Sequence, residues 1–181
     1  MAKHSALDGS SYVRYNNNMF VLRTLSGWII TLPGRKVKED DVIRRMEAAD
    51  LDAAAEIWLA SNLDAHDFIP AEYWRGNFQA VKAQLPEAEV YVCEEDGRLS
   101  GFIGLEGEYI AGLFVAKPER SRGVGKQLLD AAKASHDYLE LRVYAENWPA
   151  VKFYYREGFT LCSQDVDGST GADEYLMAWW A

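Results

Sequence analysis

Residues 119–130, "ERSRGVGKQLLD", join a charged turn with two glycines to an apolar pattern of helical spacing. Such a turn can hold a phosphate, because the first N–H groups of a helix have no partner within it. A P-loop requires Ser or Thr after its Lys and a Gly five residues before its second Gly, but Gln127 and Arg120 occupy those positions. The sequence therefore excludes a P-loop.

A dinucleotide-binding fingerprint also fits poorly, since Leu128 stands where its third glycine belongs. The pattern that remains is Arg120-x-x-Gly123-x-Gly125, in which the glycines allow a tight turn. The backbone amides of residues 122–126 and the basic side chains of the turn would suit a pyrophosphate. A solvated basic turn with a glycine kink is the competing interpretation.

The segments around this turn predict a mixed α/β fold. Apolar residues recur at helical spacing over 50–63, with Asp50 as the N-cap, and again over 74–85. Three antiparallel strands follow, with an Asp-Gly turn at 96–97, and the helix after the glycine turn leads to a parallel strand over 139–145. A short helix and a terminal hairpin complete the order βααβββαβαββ, with helices on both faces of one sheet.

Residues 1–41 differ from the rest, so we predict an N-terminal β-rich extension there and one domain over 42–181. The stretch "MFVLRTLSGWIITL" (19–32) could form a hairpin that turns near Ser26-Gly27. Its strands would need a sheet edge or a partner chain, because an isolated hairpin is only marginally stable. The alternative is a segment foreign to the native domain, added by expression or by a misassigned start.

Composition limits the partners. The net charge is −9, from 28 acidic and 19 basic side chains. The electrostatic field of this negative charge repels nucleic acid and anionic membranes. The apolar stretch at 19–32 is too short to span a bilayer and lacks a signal-peptide cleavage site. Cys93 and Cys162 are isolated, without metal-ligand spacing. We therefore expect a cytoplasmic protein without a metal, with an exposed edge strand or residues 1–41 available for a homodimer.

Two segments together resemble a known family. "LFVAKPERSRGVGKQLLDAAK" and, downstream, "ENWPAVKFYYREGF" are similar to the two signature regions of the GNAT superfamily of N-acetyltransferases. The first resembles the acetyl-coenzyme A pyrophosphate loop, Gln/Arg-x-x-Gly-x-Gly/Ala, and the second resembles the Asn…Ala…Phe-Tyr…Gly-Phe segment. "AHDFIPAEYW" (65–74) is similar to bacterial members that acetylate lysines or peptides. The resemblance implies a GNAT fold over 42–181 and acetyl-coenzyme A as the acyl donor.

The resemblance also implies a set of cofactor contacts. The strand before the turn would hold the pantetheine arm through backbone groups, although its side chains can belong to the core at the same time. Asn147 would orient the pantetheine amide, and helix capping is its equally compatible structural role. The expected cofactor-binding residues are Leu113, Phe114, Val115, Arg120, Ser121, Arg122, Gly123, Val124, Gly125, Lys126 and Asn147.

For catalysis, Tyr154 matches the family position that protonates the departing thiolate. A phenol of pKa about 10 stays protonated at neutral pH, although transfer to a thiolate of pKa about 8.5 is uphill and needs electrostatic help. Tyr155 is the adjacent alternative, but successive helical residues face about 100° apart, so both cannot serve. Glu106 is the leading candidate for the base that deprotonates the amine, with Glu108, His66 and Glu72 behind it. His66, Phe68 and Trp74 are expected to line the acceptor pocket, with ordinary loop packing as the alternative.

The resulting expectation is an acetyl-coenzyme A-dependent N-acetyltransferase whose acceptor is a primary amine: a lysine side chain, a peptide N-terminus or a small cationic amine. In this superfamily the amine attacks the thioester directly in a ternary complex. The rival interpretations are a non-catalytic module that binds or senses acyl-coenzyme A, and a kinase or NAD-dependent protein, which would bind a nucleotide instead. The fold does not identify the acceptor, because function resides in the site.

Overall fold

The computed structural model describes residues 42–181 in full and, in the N-terminal segment, the backbone of four strands. These strands form one antiparallel sheet in chain order, and β3 pairs with β4 from Thr24 opposite Gly27 to Phe20 opposite Thr31. The other residues of 1–41 lie outside the described part of the chain, and the division into an extension and a domain stays a prediction. The strands are β1 His4–Leu7, β2 Ser10–Tyr15, β3 Met19–Thr24 and β4 Gly27–Thr31.

Residues 42–181 contain the elements that the sequence predicts, in the order βααβββαβαββ. The first half comprises β5 Val42–Arg45, α1 Leu51–Ala65, α2 Ala71–Gln84, β6 Glu89–Glu95, β7 Arg98–Glu106 and β8 Tyr109–Val115. The second half comprises α3 Val124–Lys133, β9 Tyr138–Tyr144, α4 Trp148–Arg156, β10 Thr160–Val166 and β11 Asp173–Trp180.

The strands of this domain form one seven-stranded sheet in the order β10-β11-β9-β8-β7-β6-β5. Sequential strands joined by tight turns pair antiparallel, and at the β6–β7 turn Asp96 and Gly97 both have positive φ, as a type I′ turn requires. β8 and β9 pair parallel, because α3 carries the chain back across the sheet between them. The predicted mixed sheet is confirmed.

Helices cover both faces of the sheet, which confirms the predicted layers. Neighbouring residues on β7 show this directly: Phe102 packs in the cluster beneath α1 and α2, and Ile103 packs in the cluster beneath α3 and α4. Both side chains are buried because successive strand residues point to opposite faces and both faces are covered. This arrangement explains the continuous apolar run in β7.

The start of α1 differs from the expectation. A 3-10 turn, Ala48–Asp50, precedes the helix, and the Asp50 side chain makes no capping hydrogen bond to α1. Its carboxylate instead accepts from the Glu47 N–H at 2.8 Å and from two guanidinium nitrogens of Arg44 at 2.5 and 2.9 Å. Asp50 stands at the predicted N-cap position of α1, but its carboxylate completes the capping box of the preceding turn instead of bonding to the helix.

A cleft opens between β8 and β9. Within 42–181 the two strands pair only at Tyr109/Glu140 and Ile110/Leu141. The β7–β8 register shifts between Gly104/Gly112 and Leu105/Ile110, so β8 has a bulge at Ala111. A bulge bends its strand. Beyond it, Gly112–Val115 and Arg142–Tyr144 diverge, and we call the space between them the cleft.

Candidate functional site

The turn from Arg120 to Lys126, here called the glycine turn, lies at the open end of the cleft and leads into α3. Ser121 and Gly123 have φ of +62° and +95°, so two left-handed residues fold the chain back tightly. The first helical hydrogen bond runs from the Gln127 N–H to the Gly123 carbonyl. The N–H groups of residues 124–126 precede that bond, and their alignment at a helix N-terminus suits an anion.

The basic side chains of the glycine turn are paired with carboxylates. Arg120 Nη1 lies 2.5 Å from Asp64, Lys126 Nζ lies 2.6 Å from Asp130, and Arg122 pairs with Glu119 three residues earlier. An anion bound at the turn would therefore meet cations whose charge is already partly compensated. The backbone donors of the turn are the groups best placed for such a ligand.

The edge of β8 presents backbone groups to the cleft at alternate residues. The Ala116 N–H donates to the Ser100 carbonyl of β7, so the backbone groups of Phe114 also face β7. Those of Leu113 and Val115 consequently face the cleft. The Phe114 ring packs against Phe102 with centroids 5.1 Å apart, in the cluster beneath α1 and α2.

Asn147 lies on the other side of the cleft, between β9 and α4. Its Oδ1 accepts from the Ala150 N–H at 3.3 Å, so it caps α4. Its Nδ2 donates to Nε2 of His66 at 3.0 Å, a contact between residues far apart in the chain. The second amide hydrogen is still available for the pantetheine contact that the family resemblance implies, and that contact stays a prediction.

His66 is held in one neutral tautomer. Since Asn147 Nδ2 can only donate, Nε2 of His66 accepts, and its Nδ1–H donates to Asn62 Oδ1 at 3.1 Å. Burial lowers the pKa of His66 to about 4. The imidazole is therefore uncharged at neutral pH.

The three residues expected to line an acceptor pocket do come together. The His66 ring lies 5.7 Å from Phe68 and 5.3 Å from Trp74, centroid to centroid. Tyr144, at the end of β9, joins them at 5.0 Å from His66 and 5.7 Å from Phe68. We call His66, Phe68, Trp74 and Tyr144 the aromatic cluster.

A carboxylate lies at the edge of the aromatic cluster. The Tyr144 hydroxyl donates to Asp167 Oδ2 at 2.7 Å, and Asp167 belongs to the turn between β10 and β11. Although desolvation opposes it, hydrogen bonds from Tyr144 and from residues 169–170 lower the pKa of Asp167. Asp167 is therefore charged at neutral pH and gives the cluster a negative rim.

Tyr154 is the tyrosine that α4 directs toward the sheet. It is 7% exposed, whereas Tyr155 is 48% exposed. The Tyr154 ring packs edge-on against Phe153 and Phe159. Burial, and secondarily the neighbouring Tyr109 at the start of β8, raise the pKa of Tyr154. Of the two adjacent tyrosines, only Tyr154 is buried in the core cluster beneath α3 and α4.

Glu106 lies away from the aromatic cluster. It is exposed at the end of β7, opposite Tyr109, and Tyr109 in turn pairs with Glu140. Tyr144 is four residues further along β9, a rise of about 13 Å. The structure therefore does not bring the predicted base together with the predicted acceptor residues, and the role of Glu106 stays a prediction.

Several site residues escaped sequence reasoning because their partners are distant in the chain. Asp64 pairs with Lys117 and Arg120, and Tyr144 contacts residues of the α1–α2 loop. Tyr144 did carry a weak signal, since it ends a strand three residues before the Asn147 motif. Asp64 carried none, because a single acidic residue on a helix resembles any solvated one.

The described part of the chain has neither a metal-ligand group nor a membrane-spanning helix. No group of three or more His, Cys, Asp or Glu side chains there is arranged to hold a metal ion. No described helix combines the length and apolar character needed to cross a membrane.

Comparison with known proteins identifies the architecture. The family model for the acetyltransferase (GNAT) domain matches residues 60–170. The peptidyl-lysine N-acetyltransferase YiaC of Escherichia coli (strain K12) is 38% identical over 140 residues, which are 76% of this chain and 96% of YiaC.

Solved structures give the same result. The solution structure of apo YjaB from Escherichia coli superposes with a TM-score of 0.70 at 30% identity, covering 77% of this chain and 97% of YjaB. Salmonella typhimurium yncA, solved with its cofactor acetyl-CoA, has a TM-score of 0.58 over 77% of this chain and 94% of its own. At 19% identity this second likeness concerns the fold alone.

Proposed function

The chain belongs to the GNAT family of acetyltransferases, and we propose that it acetylates the side-chain amine of lysine in a peptide or protein. As a family member it is an acetyl-coenzyme A-dependent acyltransferase. The observation behind the choice of acceptor is the aromatic cluster with the Asp167 carboxylate at its edge. The names of YiaC and of YjaB, both peptidyl-lysine N-acetyltransferases, support it.

A lysine side chain matches the aromatic cluster in two respects. Its butyl chain can pack against the rings of Phe68 and Tyr144, while its ammonium group stays near Asp167. A small neutral amine would use neither the carboxylate nor both rings. The protein's charge of −9 also favours a cationic acceptor.

The donor side uses backbone groups. The N–H groups of the glycine turn would hold the pyrophosphate, and the cleft-facing groups of Leu113 and Val115, with Asn147, would hold the pantetheine arm. Acetyl-coenzyme A supplies an acyl group activated as a thioester. Because the donor set is backbone N–H at a helix N-terminus and an open strand edge, it fits the phosphates and amides of this molecule.

Tyr154 would donate the proton that the leaving sulfur needs. Burial raises the pKa of this phenol, which keeps it protonated but makes it a weaker acid. The same burial would raise the pKa of a thiol beside it, so the difference in pKa between the Tyr154 phenol and the coenzyme A thiol need not grow. The lysine amine must first lose a proton, and Asp167 is the carboxylate at the edge of the cluster, whereas Glu106 could take it only through a chain of several waters.

The test is acetylation of an Nα-blocked lysyl peptide, followed by mass spectrometry and by thiol release. Tyr154→Phe should lower kcat by about 10²-fold or more with little change in the KM for acetyl-coenzyme A. Tyr155→Phe is the matched control on the exposed side of α4 and should leave kcat unchanged. An unchanged kcat in Tyr154→Phe would remove the general-acid role. Acetyl-coenzyme A binding without transfer to any lysine would favour a non-catalytic module.

A further inference from the structure

The last turn of α1, residues 61–66, crosses the open end of the cleft and contacts both of its sides. On one side lie the end of β8 and the segment 116–120 that leads into the glycine turn. On the other side lies Asn147 at the start of α4. We call this turn of α1 the brace.

The first half of the brace holds the donor side. The two Asp64 oxygens separately accept from Lys117 Nζ and Arg120 Nη1, each at 2.5 Å. Arg120 Nε also donates to the Val115 carbonyl at 3.1 Å, and Ser61 Oγ lies 3.4 Å from the same oxygen. The Arg120 guanidinium thus joins the end of β8 to α1, which closes the base of the glycine turn.

The second half of the brace holds the acceptor side. Asn62 is 3% exposed and anchors itself by donating from Nδ2 to the Trp58 carbonyl at 2.9 Å. Its Oδ1 receives the His66 Nδ1–H, and His66 Nε2 receives the Asn147 amide that caps α4. The brace therefore reaches the first turn of the helix that contains Tyr154.

The pairing of the sheet explains why such a connection matters. In the described domain, β8 and β9 pair at two positions near the closed end of the cleft. The distance between the strands at the open end must then depend on contacts from outside the sheet. Asp64 and His66 are two residues apart on one helical turn, so this single turn connects the two sides of the cleft.

We propose that the brace positions the two substrate sites relative to each other, with Asp64 acting through Arg120 on the glycine turn and His66 acting through Asn147 on α4. This inference rests on the proposed function, because it concerns the positions of the two substrates of that reaction. Its test measures coenzyme A binding and is independent of acetylation. Asp64 and Asn62 are positioning residues, since their contacts are to other residues of the protein.

The alternative role for Asp64 makes the opposite prediction. If its carboxylate only competed with phosphate for Arg120 and Lys117, its removal would release two cations and strengthen coenzyme A binding. If the carboxylate positions the turn, its removal loosens the turn and weakens binding. The two roles therefore predict opposite changes in the Kd for coenzyme A when the Asp64 carboxylate is removed.

The first experiment is calorimetric titration of coenzyme A into the full chain. Asp64→Asn should raise the Kd on the order of fivefold or more. Asp52→Asn removes the same charge from the other end of α1, where Asp52 pairs with Lys82, and should leave the Kd unchanged. An unchanged or lower Kd in Asp64→Asn would overturn the proposal. If Asp64→Asn lowers the Tm strongly, Asp64→Glu, which keeps the charge but moves the carboxylate, repeats the test, because a raised Kd supports positioning and an unchanged Kd contradicts it.

The second experiment measures transmission across the brace. The chain has three histidines, so the ring resonances of His66 can be assigned by NMR with His136 as an internal control. Saturating coenzyme A should shift the His66 signals in the wild type and in Asp52→Asn, and shift them clearly less in Asp64→Asn. An equal shift in Asp64→Asn would show that the coupling bypasses Asp64, against the proposal. Failure of lysine acetylation alone would refute the proposed function and leave both binding results standing.

Discussion

The imidazole of His66 accepts one hydrogen bond and donates another, and only its neutral form can do both. Protonation would place a hydrogen on Nε2, which faces the Nδ2 donor of Asn147. The surrounding rings of Phe68, Trp74 and Tyr144 offer no carboxylate contact to a charged imidazole, which is why burial lowers its pKa to about 4. At the scale of one residue, the site is thus organised around an uncharged histidine.

This histidine predicts a pH dependence of stability. Because the pKa is about 6.5 in an unfolded chain and about 4 in the fold, the unfolded state binds the additional proton between these values. The free energy of unfolding should fall as the pH decreases from about 6.5 to 4, by about 1 to 2 kcal/mol after allowance for the solvent that reaches the ring. Urea unfolding at a series of pH values measures this.

The matched variant is His66→Gln, whose amide oxygen can accept from Asn147 but does not titrate in this range. Acidic groups with lowered pKa values, Asp50, Asp64 and Asp167, contribute to acid sensitivity in both proteins. The difference between the two stability curves therefore isolates His66. Parallel curves from pH 7 to 4 would contradict the assignment.

At the scale of an element, the two glycines of the glycine turn differ in whether the backbone requires a glycine at that position. Gly123 has φ +95°, a conformation that L-residues adopt only with strain. Gly125 lies within α3, and an added Cβ would meet Leu113 Cδ2 at 3.4 Å and the Phe153 ring at 3.7 Å, which are ordinary contacts. The turn requires glycine at 123 and can accept alanine at 125, as in the family motif that it resembles.

Two alanine variants test this difference. Gly123→Ala should strain the turn by roughly 1 to 3 kcal/mol and weaken acetyl-coenzyme A binding by about tenfold, since the amides no longer point to one ligand. Gly125→Ala should bind with nearly wild-type Kd and melt at the same or a higher temperature, because alanine favours helix. Calorimetry and thermal melting give both quantities. If both variants lost the same affinity for acetyl-coenzyme A, contacts of the added methyl groups would control binding, and not the φ angle at residue 123.

At the scale of the molecule, we predict that the acetyltransferase fold is contained in residues 42–181. Among the side chains that the structure describes, both core clusters are formed from Ile43 onward. The aligned 140 residues make up 96% of YiaC, so that relative is too short to match the whole of this chain. We therefore predict that residues 1–41 are an addition to the catalytic unit, and assembly into a homodimer is the role that we propose for them.

Deletion of residues 1–41 tests this division. The truncated protein should keep its acetyl-coenzyme A Kd and melt within about 4 °C of the full chain, a shift that corresponds to roughly 1 kcal/mol. Light scattering should then give a dimer for the full chain and a monomer after deletion. The same mass per particle for both proteins would dismiss a role in assembly, and loss of folding would place the first 41 residues in the domain.

The sequence was informative wherever a signal is local. Apolar periodicity and the Asp-Gly turn predict the element order, and Gly123 with the Asn147 segment indicates the family. The adjacent residues Tyr154 and Tyr155 mark the limit of local patterns. Helical periodicity indicates that they face different directions, but only the packing of α4 shows which one is buried. The sequence placed Asp50 at the N-cap position of α1, but it did not show that the carboxylate bonds Arg44 of β5 instead of the helix.

The sequence by itself determined the order of the elements and the α/β class, because each follows from spacing and turn residues within short segments, and two short motifs carried the resemblance to the family. The tertiary structure alone decided which further residues join the site. Tyr144 joins His66, Asp64 pairs with Arg120, and Asn147 reaches His66 only because the sheet and α1 bring distant segments together. Such contacts depend on the directions of side chains in three dimensions, which a linear pattern of residue types does not specify.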